Sequence, residues 1–440
     1  MSVETALPIL MFIFLFGFIL TGAPVAFVLG GVGILFAVIG YFFNLFSFSD
    51  FGFLAPRIFG IVKNFTLLAV PLFIFMGAIL EKTGIAEELI NCIGEVFSRV
   101  RGGLLAALVV VGALLAASTG IVGATVVTMG MLALPPLIKR DYDKALSCGT
   151  IAAAGTLGQI IPPSIVLILL ADIMNVAVAD LFAAALLPGC LLVLFYILYI
   201  LTVSFFFPSK AGTAETFKVN WFRVVKALFL PVILIILVLG SILGGFASPT
   251  ESAACGAVGA FLIGVVRGKM TFKVLKESAY QTTYMTSMVF TLLVGAQIFS
   301  VVFRGLYGDE VIENLFLGLS GNVHTVMLFT MVSIFILGFF LDFIEICFII
   351  VPLITPVLVE HFSVNPVWLA ILIAVNLQTS FLTPPFGFSL FYLRGTAPPS
   401  VTTWDIYKGV FPFVFIQLVV LVVVYLEPNL VLFLPKYLFG

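Results

Sequence analysis

Residues Leu377–Leu390 read LQTSFLTPPFGFSL, inside a run from Phe362 to Leu393 that holds no Asp, Glu, Lys or Arg. That length and composition suit a helix crossing a bilayer. Yet Pro384 and Pro385 remove two backbone donors and bring ring clashes, at roughly 3 kcal/mol or more for each proline. A break at that depth frees carbonyls where no water reaches them, so its position demands a reason.

The surrounding chain leaves no doubt about the solvent. Hydrophobic residues make up 62% of the 440 and charged residues 9%, with a mean hydropathy of +1.29. A soluble chain of this length cannot hide that much apolar surface, so the composition specifies an all-α polytopic membrane protein. The alternating segments of about 10 residues that mark a β-barrel are missing. The N-terminal MSVETALPILMF lacks a basic region and a small-residue cleavage motif, and is expected to be an uncleaved helix. Cys92, Cys148, Cys190, Cys255 and Cys347 are scattered without paired spacing and read as packing residues. His324 and His361 stand at the edges of apolar segments. No P-loop, dinucleotide fingerprint, HExxH or nucleophile elbow is present, which argues against ATP chemistry and against an enzyme.

The few charges orient the spans. Of 20 Lys and Arg, all but Arg57, Lys63, Arg304 and Lys436 can face the cytoplasm together, as the positive-inside rule prefers. Residues 145–171 and 181–207 then leave and return around Asp172 and Asp180. Segment 102–138 is charge-free with basic flanks, and its centre AASTGIVGAT is poor helix material. It reads as a re-entrant hairpin with its tip near Ser118-Thr119-Gly120. Segment 324–360 reads as a second hairpin, opening outward, with its tip in GFFLDFIEI. Both termini fall outside. Cysteine labelling is expected to find position 304 outside and position 218 inside; both on one face would overturn this count.

The count exposes an internal repeat. Each half holds two helices, a third helix, an amphipathic segment (IAEELINCIGEVFSRV or DEVIENLFLGLS), a hairpin, a broken helix and a last helix. LPPLIKRDYDKALSCGTIAAAGTLGQIIPPSI parallels ITPVLVEHFSVNPVWLAILIAVNLQTSFLTPPFGF, with 27 residues from Pro135 to Pro162 and 28 from Pro356 to Pro384. The halves begin on opposite sides, so they are two inverted-topology repeats with two re-entrant hairpins and two Pro-Pro-broken helices. Matched interruptions in inverted halves point to a secondary transporter's binding site.

These motifs carry a family resemblance. STGIVGATVVTMGMLALPPL, GTIAAAGTLGQIIPPSIVLIL, SPTESAACGAVGA, NLQTSFLTPPFGFSLFYLRG, VPLFIFMGAILEKTGI and LDFIEICFIIVPLITPVL resemble the large membrane subunit of TRAP transporters, the DctM-type permease, from about Leu15 to Val423. The resemblance implies a bacterial inner-membrane, elevator-type protein of the ion-transporter superfamily kind, importing a small organic acid with Na+ as coupling ion and no organic cofactor. It implies a separate small four-helix membrane subunit and a periplasmic substrate-binding protein as partners, with no role for nucleic acid. The implied division is scaffold helices and arm over 1–101, hairpin and broken helix over 102–180, a last helix over 181–207 and a linker over 208–226. The second half follows as scaffold over 227–323, hairpin and broken helix over 324–397, and a last helix with the C-terminus over 398–440. A stand-alone Na+/dicarboxylate-type symporter shares such hairpins, and a channel or a structural membrane subunit is the other class of reading.

Unwound backbone between half-helices aims carbonyls at a cation and helix N-termini at an anion. One Na+ is therefore expected between Ser118-Gly120-Gly123 and Gly155-Thr156, and another between Asp342 and Thr379-Ser380-Thr383. Substrate contacts are expected from Ser118, Thr119, Gly158, Pro162, Glu345, Gln378, Thr383 and Pro384. Asp342 and Glu345, at i and i+3, also fit a helix N-cap.

Overall fold

The computed structural model describes residues 3–97, 100–119, 122–212, 221–318, 322–384 and 387–440. Side chains at positions 86, 91, 116, 118, 119 and 223 lie outside that description. The described residues are helical throughout, apart from turns and one isolated bridge between Tyr142 and Ala211.

The first half runs α1 (Val3–Ile19), α2 (Val25–Phe42), α3 (Leu54–Lys63), α4 (Ala69–Lys82), α5 (Ile85–Phe97), α6 (Gly103–Thr119), α7 (Val122–Lys139), α8 (Lys144–Thr156), α9 (Ile165–Ile173) and α10 (Val178–Phe206). The second half begins with α11 (Trp221–Leu243), α12 (Pro249–Val266), α13 (Phe272–Gly305), α14 (Gly308–Gly318) and α15 (Val323–Leu337). It continues with α16 (Phe343–Ile349), α17 (Val351–Pro356), α18 (Pro366–Leu382), α19 (Phe388–Thr396), α20 (Thr403–Leu426) and α21 (Pro428–Phe439). Seven helices are long and apolar enough to cross a membrane, and two bent pairs raise that to nine among the described residues. The molecule is a multi-pass membrane protein.

Local chemistry sets the ends. In SPTES, Ser248 and Glu251 form a reciprocal capping box with Pro249 opening α12; Thr402 and Asp405 do the same for α20. Asn365 accepts from the backbone of Val367 and Trp368 at the start of α18. The third helix of the first half departs from the expected single span. It is interrupted between Lys63 and Thr66, and its two parts, Phe48–Lys63 and Thr66–Lys82, meet at 52°. Asn64 makes the kink, because its Oδ1 accepts from Thr66 N at 2.9 Å and competes with helix continuation.

Packing follows a pattern in which the halves exchange partners. α2 lies against α13 and α4 against α12, with α4 and α13 crossing each other. The amphipathic α5 packs on α11, and its counterpart α14 packs on α1. α6 lies on α8 and α15 on α18, while α7 meets α19 and α16 meets α9. α8 packs on α20 and α18 on α10. The broken helices thus lie at the centre, where α8, α9 and α18 are almost wholly buried.

Candidate functional site

The second break begins at its prolines, a few residues after the positions expected to be unwound, whereas the first begins directly after Thr156, within the expected stretch. α8 continues as a 3-10 turn over Leu157–Gln159 and the chain re-enters a helix at Ile165. α18 stays helical through Leu382, and Thr383 is extended with ψ 125°, as steric pressure from a following proline requires. Gly155 and Thr156 therefore end α8, with Gly158 in the 3-10 turn, and Gln378, Thr379 and Ser380 sit in the last turns of α18.

The freed carbonyls find partners within the chain. Pro163 cannot donate to Gln159 O, and Ser164 Oγ donates to it instead at 2.7 Å. Pro384 cannot donate to Ser380 O, and Thr383 N takes it at 3.1 Å. Thr383 Oγ1 donates to Thr379 O at 2.8 Å, so both breaks close with a hydroxyl beside the prolines. The answer to the cost posed by LQTSFLTPPFGFSL is thus local in part.

The two breaks meet. Gln378 Nε2 donates to Thr156 Oγ1 at 3.3 Å, joining residues that each stand six positions before the first proline of a pair. Gln417 Nε2, from the middle of α20, approaches the same oxygen at 3.5 Å. All three side chains are fully buried. Gln159, also fully buried, has no hydrogen-bond partner for either amide atom, and Gln378 Oε1 and Gln417 Oε1 have none. These are polar groups held in a dry centre, an expensive placement that marks a site in a membrane helix.

The hairpins bracket this junction. Gly120 and Ile121 of the first turn, and the side chains of Ser118 and Thr119, lie outside the described residues. Beyond that turn, Gly123 faces the ring of Tyr392 and Val126 packs onto Gly155, where a β-carbon would lie 2.2 Å from Val126 Cγ2. In the second hairpin Asp342 caps α16. Its Oδ1 accepts from Phe343 N at 2.7 Å, and Glu345 Oε2 accepts from Asp342 N at 3.0 Å. Both carboxylates are half-buried. Gly338 at the end of α15 touches Ser380, and Phe343 lies 6.3 Å from the ring of Phe381. Asn376 Nδ2 donates to Met331 O at 2.7 Å, fastening α18 to α15.

Thr379, Ser380 and Thr383 each donate a hydroxyl proton to their own helix, at 2.8 Å. This back-bonding leaves oxygen lone pairs directed outward, so it is compatible with ligating a cation. No group of three or more His, Cys, Asp and Glu capable of holding a metal occurs among the described residues. The available donors are neutral oxygens with two carboxylates, a set suited to a hard monovalent ion and unsuited to a transition metal. Pro162 is buried beside α10, and Pro384 is half-buried.

Three residues escaped the motif reading. Gln417 is the lone amide in the charge-free stretch 409–426, and that isolation was the available signal. Gln159 lay inside the quoted motif without a role. Asn64 donates Nδ2 to Asp172 Oδ1 across 108 residues, a contact that no spacing announces.

A family model described as "Tripartite ATP-independent periplasmic transporter, DctM component" matches residues 12–430. The chain is 30% identical over 398 residues to the C4-dicarboxylate TRAP transporter large permease protein DctM of Pseudomonas aeruginosa, covering 90% of this chain and 92% of that one. It is 26% identical to the sialic acid TRAP transporter large permease protein SiaM of Vibrio cholerae, covering 96% and 97%. Among solved structures, the YdaH transporter of Alcanivorax borkumensis shares the fold, with a TM-score of 0.61 at 15% identity over 88% of this chain and 90% of that one.

Proposed function

The chain belongs to the DctM component family of tripartite ATP-independent periplasmic transporters, and from that premise we propose that it is the large permease subunit of a Na+-driven importer of a small organic acid. The observation that carries this reading is the hydrogen bond from Gln378 to Thr156, which joins two matched Pro-Pro breaks between two hairpins. Such an arrangement gathers the ends of four half-helices at one place. The C-terminal ends of α8 and α18 offer negative dipole ends to a cation, and the N-terminal ends of α9 and α19 offer positive ends to an anion. Oxygen lone pairs of Thr379, Ser380 and Thr383 add neutral donors, with Asp342 and Glu345 at the second tip and the Thr156 hydroxyl, filled by two amides, holding the first break in place.

The relatives named for C4-dicarboxylates and for sialic acid handle different molecules that share a carboxylate. A relative named for isethionate handles a sulfonate, so the substrate class proposed here is a small organic acid, most simply a carboxylate. Delivery by a periplasmic binding protein, and a separate small four-helix membrane subunit packed on the scaffold, follow from the tripartite family. Both termini are assigned to the periplasm by the distribution of basic residues.

The packing supports an elevator. α6–α9 and α15–α19 pack mainly on one another and on α10 and α20, and α2, α4, α12 and α13 mainly on one another, with α4 against α6 and α13 against α16 where the two sets meet. Thr128 Oγ1 to Glu81 Oε1 at 3.3 Å and the Asn64–Asp172 pair are polar contacts between the two sets.

Reconstitution tests the reading. Uptake in proteoliposomes supplied with both partner proteins is expected to need an inward Na+ gradient. Equal uptake on a proton gradient without Na+ would refute sodium coupling. Undiminished uptake without the binding protein would select the stand-alone symporter instead.

A further inference from the structure

We propose that Gln417 is a positioning residue for Thr156, holding the end of the first broken helix in the shape that admits the coupling cation. The proposal rests on the sodium-coupled reading above and adds to it a residue from outside both breaks and both hairpins. Four observations carry it. Gln417 is fully buried in the middle of α20, and its amide is the lone one in the charge-free stretch 409–426. Its Nε2 lies 3.5 Å from Thr156 Oγ1, the oxygen that also accepts from Gln378 at 3.3 Å. Thr156 Oγ1 spends its own proton on Ala153 O at 2.8 Å, so both amides approach it as donors and the hydroxyl has one orientation left. Finally, α20 cannot drift from α8. Gly149 and Gly409 meet with backbones in contact, since a β-carbon on Gly409 would lie 1.9 Å from Ala145 O.

The consequence is a fixed rotamer at the junction. One O–H and two lone pairs are all that Thr156 Oγ1 has, and Ala153 O, Gln378 and Gln417 take all three, so the hydroxyl pins the end of α8 before any ion arrives and leaves ligation to the backbone carbonyls of the break, which lowers the reorganisation that ligation requires. Packing alone does not account for the residue. The Gln417 amide also stands against the fully buried hydroxyl of Tyr196 on α10, so it ties the end of α8 to two neighbouring helices, and Tyr196→Phe is the control that separates that contact from the one to Thr156.

The test separates positioning from structure. Gln417→Leu in the full transporter is expected to raise the Na+ concentration for half-maximal uptake by about tenfold, the scale seen when the support behind a metal ligand is lost. Its thermal unfolding temperature without Na+ should fall no further than that of Tyr196→Phe, which loses the same buried contact but keeps the amide on Thr156. Thr156→Val should produce a similar shift, and the double variant should shift little further, because both remove one unit. Hydrogen exchange without Na+ is the independent arm: amides of residues 156–161 should exchange faster in Gln417→Leu, and those of 105–115 should not. An unchanged Na+ requirement with unchanged exchange overturns the proposal, as does strict additivity with Thr156→Val. If wild-type uptake ignores Na+, the functional reading fails, and the exchange result alone decides whether Gln417 positions the break.

Discussion

A covalent bridge between cysteines placed at positions 64 and 172 is expected to reduce uptake to background and to release it on reduction. Asn64 makes the kink between α3 and α4, and its Nδ2 donates to Asp172 Oδ1 at the end of α9. The kinked helix belongs with α12 and α13, whereas α9 belongs with α10 and α16. The contact therefore straddles the boundary along which the proposed elevator would slide. A hydrogen bond tolerates a donor–acceptor distance of about 3.2 Å, so displacement by even one helical turn, about 5.4 Å, must break it. Each cycle would make and break this pair; a short bridging reagent would hold it. Cys190 and Cys255 are the exposed thiols of the five, and their replacement by serine leaves a quiet background. Each single cysteine treated with the reagent should keep transporting. Wild-type uptake by a fully bridged protein would eliminate sliding of α9 along the kinked helix.

The fold was legible wherever charge or proline punctuated the apolar sequence. The basic flanks of 102–138 and the weak centre AASTGIVGAT marked the boundary between α6, which ends at Thr119, and α7, which begins at Val122. GFFLDFIEI placed the second turn, because Asp and Glu three apart are the material of a capping box, and Asp342 and Glu345 form one. The kink at Asn64 was hidden. Asn64 is a single polar residue between apolar runs, and its two partners are a backbone amide and a distant carboxylate.

The candidate site was half legible for a related reason. Spacing located the breaks, since proline acts through the backbone and leaves its mark in one dimension. It did not locate which side chains meet at their crossing. Thr156 and Gln378 hold equal offsets from their prolines, so the repeat could have paired them. Gln417 comes from a helix that follows neither break closely, and only packing of α20 on α8 brings it in. In the second break alone the unwinding begins later than expected, for a physical reason as well. A proline denies a donor to the carbonyl four residues before it, yet Thr383 N reaches Ser380 O and lets α18 continue to Leu382.

Gly338→Ala is expected to remove most uptake, and Ser380→Gly in the same chain is expected to restore a substantial part. Gly338 follows α15, where the second hairpin turns, with helical backbone angles that alanine adopts without strain. The obstacle is entirely across the interface. A β-carbon there would lie 2.1 Å from Ser380 Oγ and 2.6 Å from Ser380 Cβ. Rotation of the hydroxyl relieves the first overlap and leaves the second, so the hairpin must retreat from α18. Overpacking of this kind costs about 1–3 kcal/mol in a close-packed interior. The functional loss is larger than the energetic one, because the retreat moves the segment that carries Asp342 and Glu345 away from the last turn of α18. Removing the Ser380 side chain deletes both clashing atoms, and the tip can return even though one proposed donor is gone. Uptake rates of the single and double variants, normalised to purified protein in the membrane, decide the matter. A double variant no better than Gly338→Ala would mean that contact between this hairpin and α18 is not what uptake depends on.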